Sequence, residues 1–156
     1  MIDQKTIDRL RTDTITPQSL FIGGRDTPTA DGRALDVVSP IDGKPLTSIA
    51  DGGAADIDRA VAAARDTFEN GDWSRMPPAA RKKILHSLAD LIERDAAELA
   101  VLGVRDNGTE ISMAYKAEPL SAAGTFRYYA EALDKVYGEI APTGDDVLGM
   151  IHREPL

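Results

Sequence analysis

Ser74, Ser112, His86, His152 and the clustered carboxylates Glu131, Asp134, Glu139, Asp145 and Asp146 are the side chains of this 156-residue sequence best suited to chemistry. A serine hydroxyl becomes a nucleophile only with a base beside it, and the sequence places none next to Ser74 or Ser112. His86 and His152 stand isolated, whereas a metal site needs further ligands at suitable spacing, so each reads as a surface or packing residue. The carboxylates read as solvated turn and helix charges rather than acid/base pairs. The chain contains no cysteine, which excludes disulfides, thiolate metal sites and a thiol nucleophile within it. Neither common phosphate-loop pattern is present. Gly52-Gly53 ahead of a helix is the nearest imitation, and Asp51, Asp56 and Asp58 around it would repel a phosphate. No self-sufficient catalytic constellation emerges.

The elements that must position these residues follow from composition and periodicity. Hydrophobic residues at 42% and charged residues at 28% are those of an ordinary soluble domain. No run approaches the roughly 18 apolar residues of a membrane span. The opening MIDQKTIDRLRTD lacks the basic end and apolar segment of a secretory signal, so the expected address is the cytoplasm. A net charge of −8, with basic residues interspersed among acids, argues against nucleic acid as a partner.

Residues 1–19 read as a polar arm with at most one short helix. Leu20 to Ile22, Ala34 to Val38 and Leu46 to Ala50 read as a small antiparallel meander, with Asp42-Gly43 turning between the second and third strands. Ile57, Val61, Ala64 and Phe68 then recur at helical spacing, and Asn70-Gly71 supplies a stop that tolerates positive φ. Trp73 should plug a gap between helices. Pro77-Pro78 open a second helix with the stripe Ile84, Leu85, Leu88, Leu91 and Ile92. A kink or restart is expected at Asp95, where Asp95 and Glu98 have capping-box spacing. Asp106-Asn107-Gly108 is a stop, and Pro119 is expected in the first turn of a last helix ending at Gly138, with Glu131 and Lys135 paired along it. Glu139 to Ala141 and Val147 to Ile151 form the expected terminal hairpin. Its edges are uncovered, which makes it a pairing surface.

The succession LFIGGR, VVSPIDGKPLTSIA, DIDRAVAAARDTFENGDWS, RKKILHSLADLIERDAAELAVL, RDNG, RYYAEALDKVYGE and MIHREPL resembles, in order and spacing, the amino-terminal region of the aldehyde dehydrogenase superfamily, from about Leu20 to Leu156. Within it, the Gly-Asp-Trp-Ser segment and RYYAEALDKVYGEIAPTG look most like enzymes acting on γ-glutamyl-γ-aminobutyraldehyde and related aminoaldehydes. Thr109-Glu110 departs from the family's usual Lys-Pro after Asp-Asn-Gly.

The resemblance implies NAD(P)-dependent oxidation of an aldehyde to an acid, by a cysteine thiolate, a hydride acceptor and a glutamate-activated water. In the family these parts lie beyond residue 156. The chain is therefore expected to be a truncated piece of such an enzyme, with no activity and no bound NAD or NADP of its own. The alternative is a free-standing assembly or binding module. The implied fold is an incomplete α+β arrangement of three main helices or helix groups, a meander and a hairpin. It divides into an arm (1–19), the first part of the cofactor domain (20–138) and an oligomerisation hairpin (139–156) that would join copies into a homo-oligomer. By resemblance, Ala117, Glu118 and Ser121 match positions near the substrate entrance. The backbone of Val37, Val38 and Asp106 resembles part of a monovalent-cation site.

Overall fold

The computed structural model describes residues 2–154. A short helix α1 (Gln4–Leu10) begins the chain, capped by the Asp3 carboxylate on the Thr6 amide. It is docked rather than loose: Leu10 is buried, and the Arg105 guanidinium donates to the carbonyls of Leu10 and Asp13 at 3.2 and 2.7 Å.

Four strands follow, β1 (Leu20–Ile22), β2 (Arg25–Thr27), β3 (Ala34–Val38) and β4 (Pro45–Ala50). The expected meander is instead two separate antiparallel hairpins, β1–β2 and β3–β4. Gly23 and Gly24 both take positive φ, 61° and 78°, the geometry of a two-residue hairpin turn, so β1 finds a partner within five residues. That partner, Arg25–Thr27, is too polar to stand out as a strand. Gln18 takes a parallel place beside β4 instead, exchanging backbone hydrogen bonds of 3.0 and 2.9 Å with Ser48 and Ala50.

Helix α2 (Ala54–Asn70) ends at Gly71. The stop falls where it was expected, and the positive φ that glycine tolerates is not used: Gly71 sits at φ −73°, ψ 162°. Glycine is needed there because a Cβ would collide with the Thr67 carbonyl, which accepts the Gly71 amide. After one turn of 3-10 helix (Trp73–Arg75) come α3 (Pro78–Arg94) and α4 (Ala96–Asn107). The helix does restart at Asp95, although the Asp95 carboxylate pairs with Arg94 rather than capping α4. Gly108, at φ 77°, closes α4 with its amide on Val104, as a left-handed C-terminal residue should. Then come α5 (Ile111–Ala117) and α6 (Pro119–Ala132), with Pro119 at the first helical position.

Helix α6 stops at Ala132, six residues before Gly138. The Glu131–Lys135 pairing does not form side chain to side chain: Lys135 Nζ donates to the Glu131 carbonyl and to Asp134. A hairpin of β5 (Glu139–Ala141) and β6 (Gly149–Ile151) completes the described chain, shorter at its second strand than expected. Among the described residues no helix is long and apolar enough to cross a membrane.

The core sits where α3, α4, α5 and α6 cross, and it is built from small side chains. Ala89, Ala100, Ala114, Ala123 and Ala130 are each 0% exposed. Alanine lets helix axes approach to the short end of the usual 8–10 Å range. The expected stripe on α3 is split: Leu85 and Ile92 are half-buried, whereas Ile84, Leu88 and Leu91 remain open, as do Leu99 and Leu102 on α4. The total accessible surface is 11519 Å², against roughly 7,600 Å² for a compact monomer of this mass.

Candidate functional site

Pro119 cannot donate to a preceding turn and clashes with it, so the chain must break its helical course at Glu118. Glu118 takes φ −97°, ψ −79° between α5 and α6, while its amide still bonds Ala114 and its carbonyl receives the Ala122 amide. This corner brings together the three residues expected near a substrate entrance. Ala117 and Ser121 are exposed, and Glu118 is half-buried. The Glu118 carboxylate turns back onto α4, where Oε1 accepts from Asn107 Nδ2 at 3.3 Å and Oε2 lies against Gly103. Asn107 is itself fixed by the Thr109 amide donating to its Oδ1 at 2.8 Å.

A cleft of about 480 Å³ opens between β4 and α4, lined by Val37, Thr47, Leu102, Gly103 and Asp106 among others. The structure thus brings Val37 and Asp106 to one cavity. Val38 is not among its lining residues: the β3–β4 register shifts between Val37 and Val38, and Val38 is left half-exposed. The Thr47 hydroxyl, within that lining, is buried and has no hydrogen-bond partner. Asp106 lies in the last turn of α4, where backbone carbonyls lack intrahelical partners and the helix dipole is negative.

The start of α2 is filled by its own carboxylate. Asp56 is 2% exposed and accepts from the amides of Gly53 and Ala30, each at 3.0 Å, and from Arg59. The Arg59 guanidinium, then these two amides, lower its pKa from the ordinary aspartate value. The Gly52-Gly53 turn is therefore a helix start that satisfies itself. Sequence reasoning counted Asp56 only as a repelling charge. Its place three residues past the Gly53 cap was the signal for its structural role.

Glu131 was also underread. It bridges α6 to α3, accepting from Lys82 and lying 3.0 Å from His86 Nε2. Lys82 first and His86 second lower its pKa. Arg127, read in the sequence only as part of the Arg-Tyr-Tyr segment of the family resemblance, clasps Glu93 and Asp90 on α3. Among the described residues, His152 meets Glu154, at 3.4 Å on the surface. The Ser112 hydroxyl donates to exposed Glu110, and Ser74 lines an open groove with Trp73, Phe21 and Phe68. Trp73 is 42% exposed there, so it walls the groove instead of plugging a gap. Among the described residues, no three acidic or histidine side chains converge as a metal site.

Comparison with known proteins places this geometry. The model of the aldehyde dehydrogenase family matches residues 27–156. The NADP/NAD-dependent aldehyde dehydrogenase PuuC of Escherichia coli (strain K12) is 48% identical over 137 residues, which is 88% of this chain and 28% of PuuC. The solved P. syringae AldA indole-3-acetaldehyde dehydrogenase, in complex with NAD+ and IAA, superposes with a TM-score of 0.93 at 37% identity, covering 99% of this chain and 31% of that one. The gamma-glutamyl-gamma-aminobutyraldehyde dehydrogenase of Burkholderia cenocepacia J2315 gives a TM-score of 0.89 at 36% identity over 96% of this chain and 30% of that one. The chain thus spans about a third or less of these proteins.

Proposed function

Because the chain belongs to the aldehyde dehydrogenase family, we propose that it corresponds to the amino-terminal portion of an NAD(P)-dependent enzyme that oxidises an aminoaldehyde to its acid, and that this portion is scaffold and entrance wall. The observation that carries this reading is the uncovered apolar side of α3 and α4. Ile84, Leu88, Leu91, Leu99 and Leu102 are 37–46% exposed, an arrangement that stable monomers avoid. Such a face suits a large further layer of protein. NAD or NADP would accept the hydride in the complete enzyme. This chain's own residues position the entrance and contribute no thiol.

At the entrance, the small residues Ala117 and Ser121 leave room, and the Glu118 charge favours a cationic ligand. The Burkholderia enzyme supports the aminoaldehyde class by its name alone. In the β4–α4 cleft, the backbone carbonyls of Val37 and Asp106, with that of Val38 beside them, would hold a monovalent cation, and the partnerless Thr47 hydroxyl fits a polar guest there. The proposed compartment is the cytoplasm.

The test is direct. The purified chain, given NAD or NADP and an aminoaldehyde, should show no reduction of cofactor. Turnover that persists through purification and disappears on mutating a residue of this chain would overturn the reading.

A second reading, an assembly module, is favoured by the β5–β6 hairpin. Ile140 and Met150 face each other in register and are 75% and 73% exposed, which presents an apolar patch and open strand edges to another copy.

A further inference from the structure

We propose that Asn70 is a site of spontaneous deamidation, the one of this chain's two asparagines that the fold leaves open to the reaction, and that its conversion to a carboxylate unwinds the end of α2. The proposal is independent of the enzymatic reading.

Asparagine is a thermolabile side chain, most of all before glycine, where no neighbouring Cβ hinders the next amide. The Gly71 nitrogen, once it has given its proton to hydroxide, attacks Asn70 Cγ. The Cγ–Nδ2 bond breaks, ammonia leaves with a proton from water, and a five-membered succinimide closes. Water then opens the ring to aspartate or isoaspartate, so the sum is water gained and ammonia lost. Asn70 and Asn107 both precede a glycine, and the local sequence therefore ranks them together.

The tertiary structure separates them. Each glycine amide donates one turn back, Gly71 to the Thr67 carbonyl at 3.0 Å and Gly108 to that of Val104 at 2.9 Å, so the last turn must open before the nitrogen can attack. At Asn107 that turn is tied down. The Thr109 amide donates to its Oδ1 at 2.8 Å, its Nδ2 donates to Glu118 at 3.3 Å, and Arg105 beside it holds the carbonyls of Leu10 and Asp13. At Asn70 the ties are local and solvated: Nδ2 donates to Asp66 at 2.8 Å, and Arg75 donates to the Glu69 carbonyl at 3.0 Å, all among exposed side chains. Residues 64–70 are exposed throughout, and the one buried residue of α2, Asp56, is at the opposite end. Helix ends without buried contacts are where a chain opens locally at least cost. Glycine is also required there, since a Cβ at Gly71 would collide with the Thr67 carbonyl. The helix end thus demands the residue that makes its neighbour reactive.

The product is placed badly. A carboxylate at this position replaces a donor to Asp66 with a second negative charge one turn away, between Glu69 and Asp72, at the helix end whose dipole disfavours it. Isoaspartate further adds a methylene to the main chain. Trp73, the chain's one tryptophan, lines a groove with Thr67 and Phe68 and so reports the opening.

The full 156-residue chain is aged in warm, mildly alkaline buffer and followed by peptide mass spectrometry and tryptophan emission. The Asn70 peptide should gain about one dalton about tenfold faster than the Asn107 peptide, and in concentrated urea the two rates should agree within about twofold. Emission should shift to the red as Asn70 converts. Asn70→Asp should show that shift without ageing, and Asn70→Gln should show neither the mass gain nor the shift. Equal rates in native buffer, or a faster Asn107, overturn the proposal. A ratio that persists in urea overturns it as well, because the fold is then not what distinguishes the two sites. Conversion of Asn70 with unchanged emission overturns the unwinding of α2.

Discussion

The Glu118 carboxylate lies over Gly103 so closely that a methyl group on that glycine would fall 2.5 Å from Oε2. The absence of a side chain on α4 is therefore what lets the corner between α5 and α6 seat its acid against a helix. The same carboxylate holds Asn107 through Oε1. Gly103 also lines the cleft that contains Val37 and Asp106. One glycine thus borders both candidate sites.

Gly103→Ala should expel the Glu118 carboxylate at an overpacking cost of about 1–3 kcal/mol, against about 1 kcal/mol that alanine gains over glycine inside α4, so the net change lies between neutral and about 2 kcal/mol destabilising. Combined with Glu118→Ala the penalty should largely disappear, which a double-mutant cycle in urea would show. Additive effects would mean that the two residues do not press on each other.

Ala89→Leu should cost more, about 1–3 kcal/mol, because Ala89 is 0% exposed where α3 crosses α6 and no gap admits a branched side chain. The readout is the urea midpoint. Leu88→Ala, on the open side of the same helix at 37% exposure, should lower it much less.

Acid should loosen the anchor of α2. The Asp56 pKa is depressed in the folded chain by Arg59 and by the amides of Gly53 and Ala30. The unfolded chain, with an aspartate near pH 3.9, then binds the proton more readily. The stabilisation is full above that value and is lost as pH falls through the lower folded pKa. Asp56→Asn should reduce the urea midpoint at pH 7, and the gap from the parent should shrink as pH falls below the unfolded aspartate value of about 3.9. A gap independent of pH would show that the charge of Asp56 is not what matters.

In the complete enzyme, Glu118→Gln should raise KM for an aminoaldehyde several-fold at low salt and leave that for a neutral aldehyde unchanged, if the charge steers substrate. Equal effects on both would assign Glu118 to the α4 contact alone.

Met150→Pro removes an amide from β6 opposite Ile140 and should lower hairpin-mediated association, seen as slower-sedimenting species. An unchanged profile at matched concentration would exclude the hairpin as an assembly edge.

Local signals in the sequence were strong where the chain's conformation depends on neighbours a few residues apart. The α2 stripe, the restart at Asp95, the stop at Gly108 and the helix start at Pro119 all follow from 3.6-residue periodicity, capping or the geometry of glycine and proline, and the structure has them where they were expected. The family resemblance was legible for the same reason, since it rests on ordered segments.

Which face of each element would be inside was decided by packing. Ile84, Leu88 and Leu91 make the more hydrophobic stripe of α3, yet Ala89 is what lies at the crossing with α6, because close helix axes accept only small side chains. The Lys82–Glu131–His86 bridge spans 45 residues or more, and the Arg127 clasp to Asp90 and Glu93 spans 34 or more. Asp56 reads as one acid among several until the loop carrying Ala30, 26 residues away, closes over it. Periodicity and capping report short-range geometry, whereas burial and charge partnership depend on which distant surface arrives, and that is set by the tertiary fold.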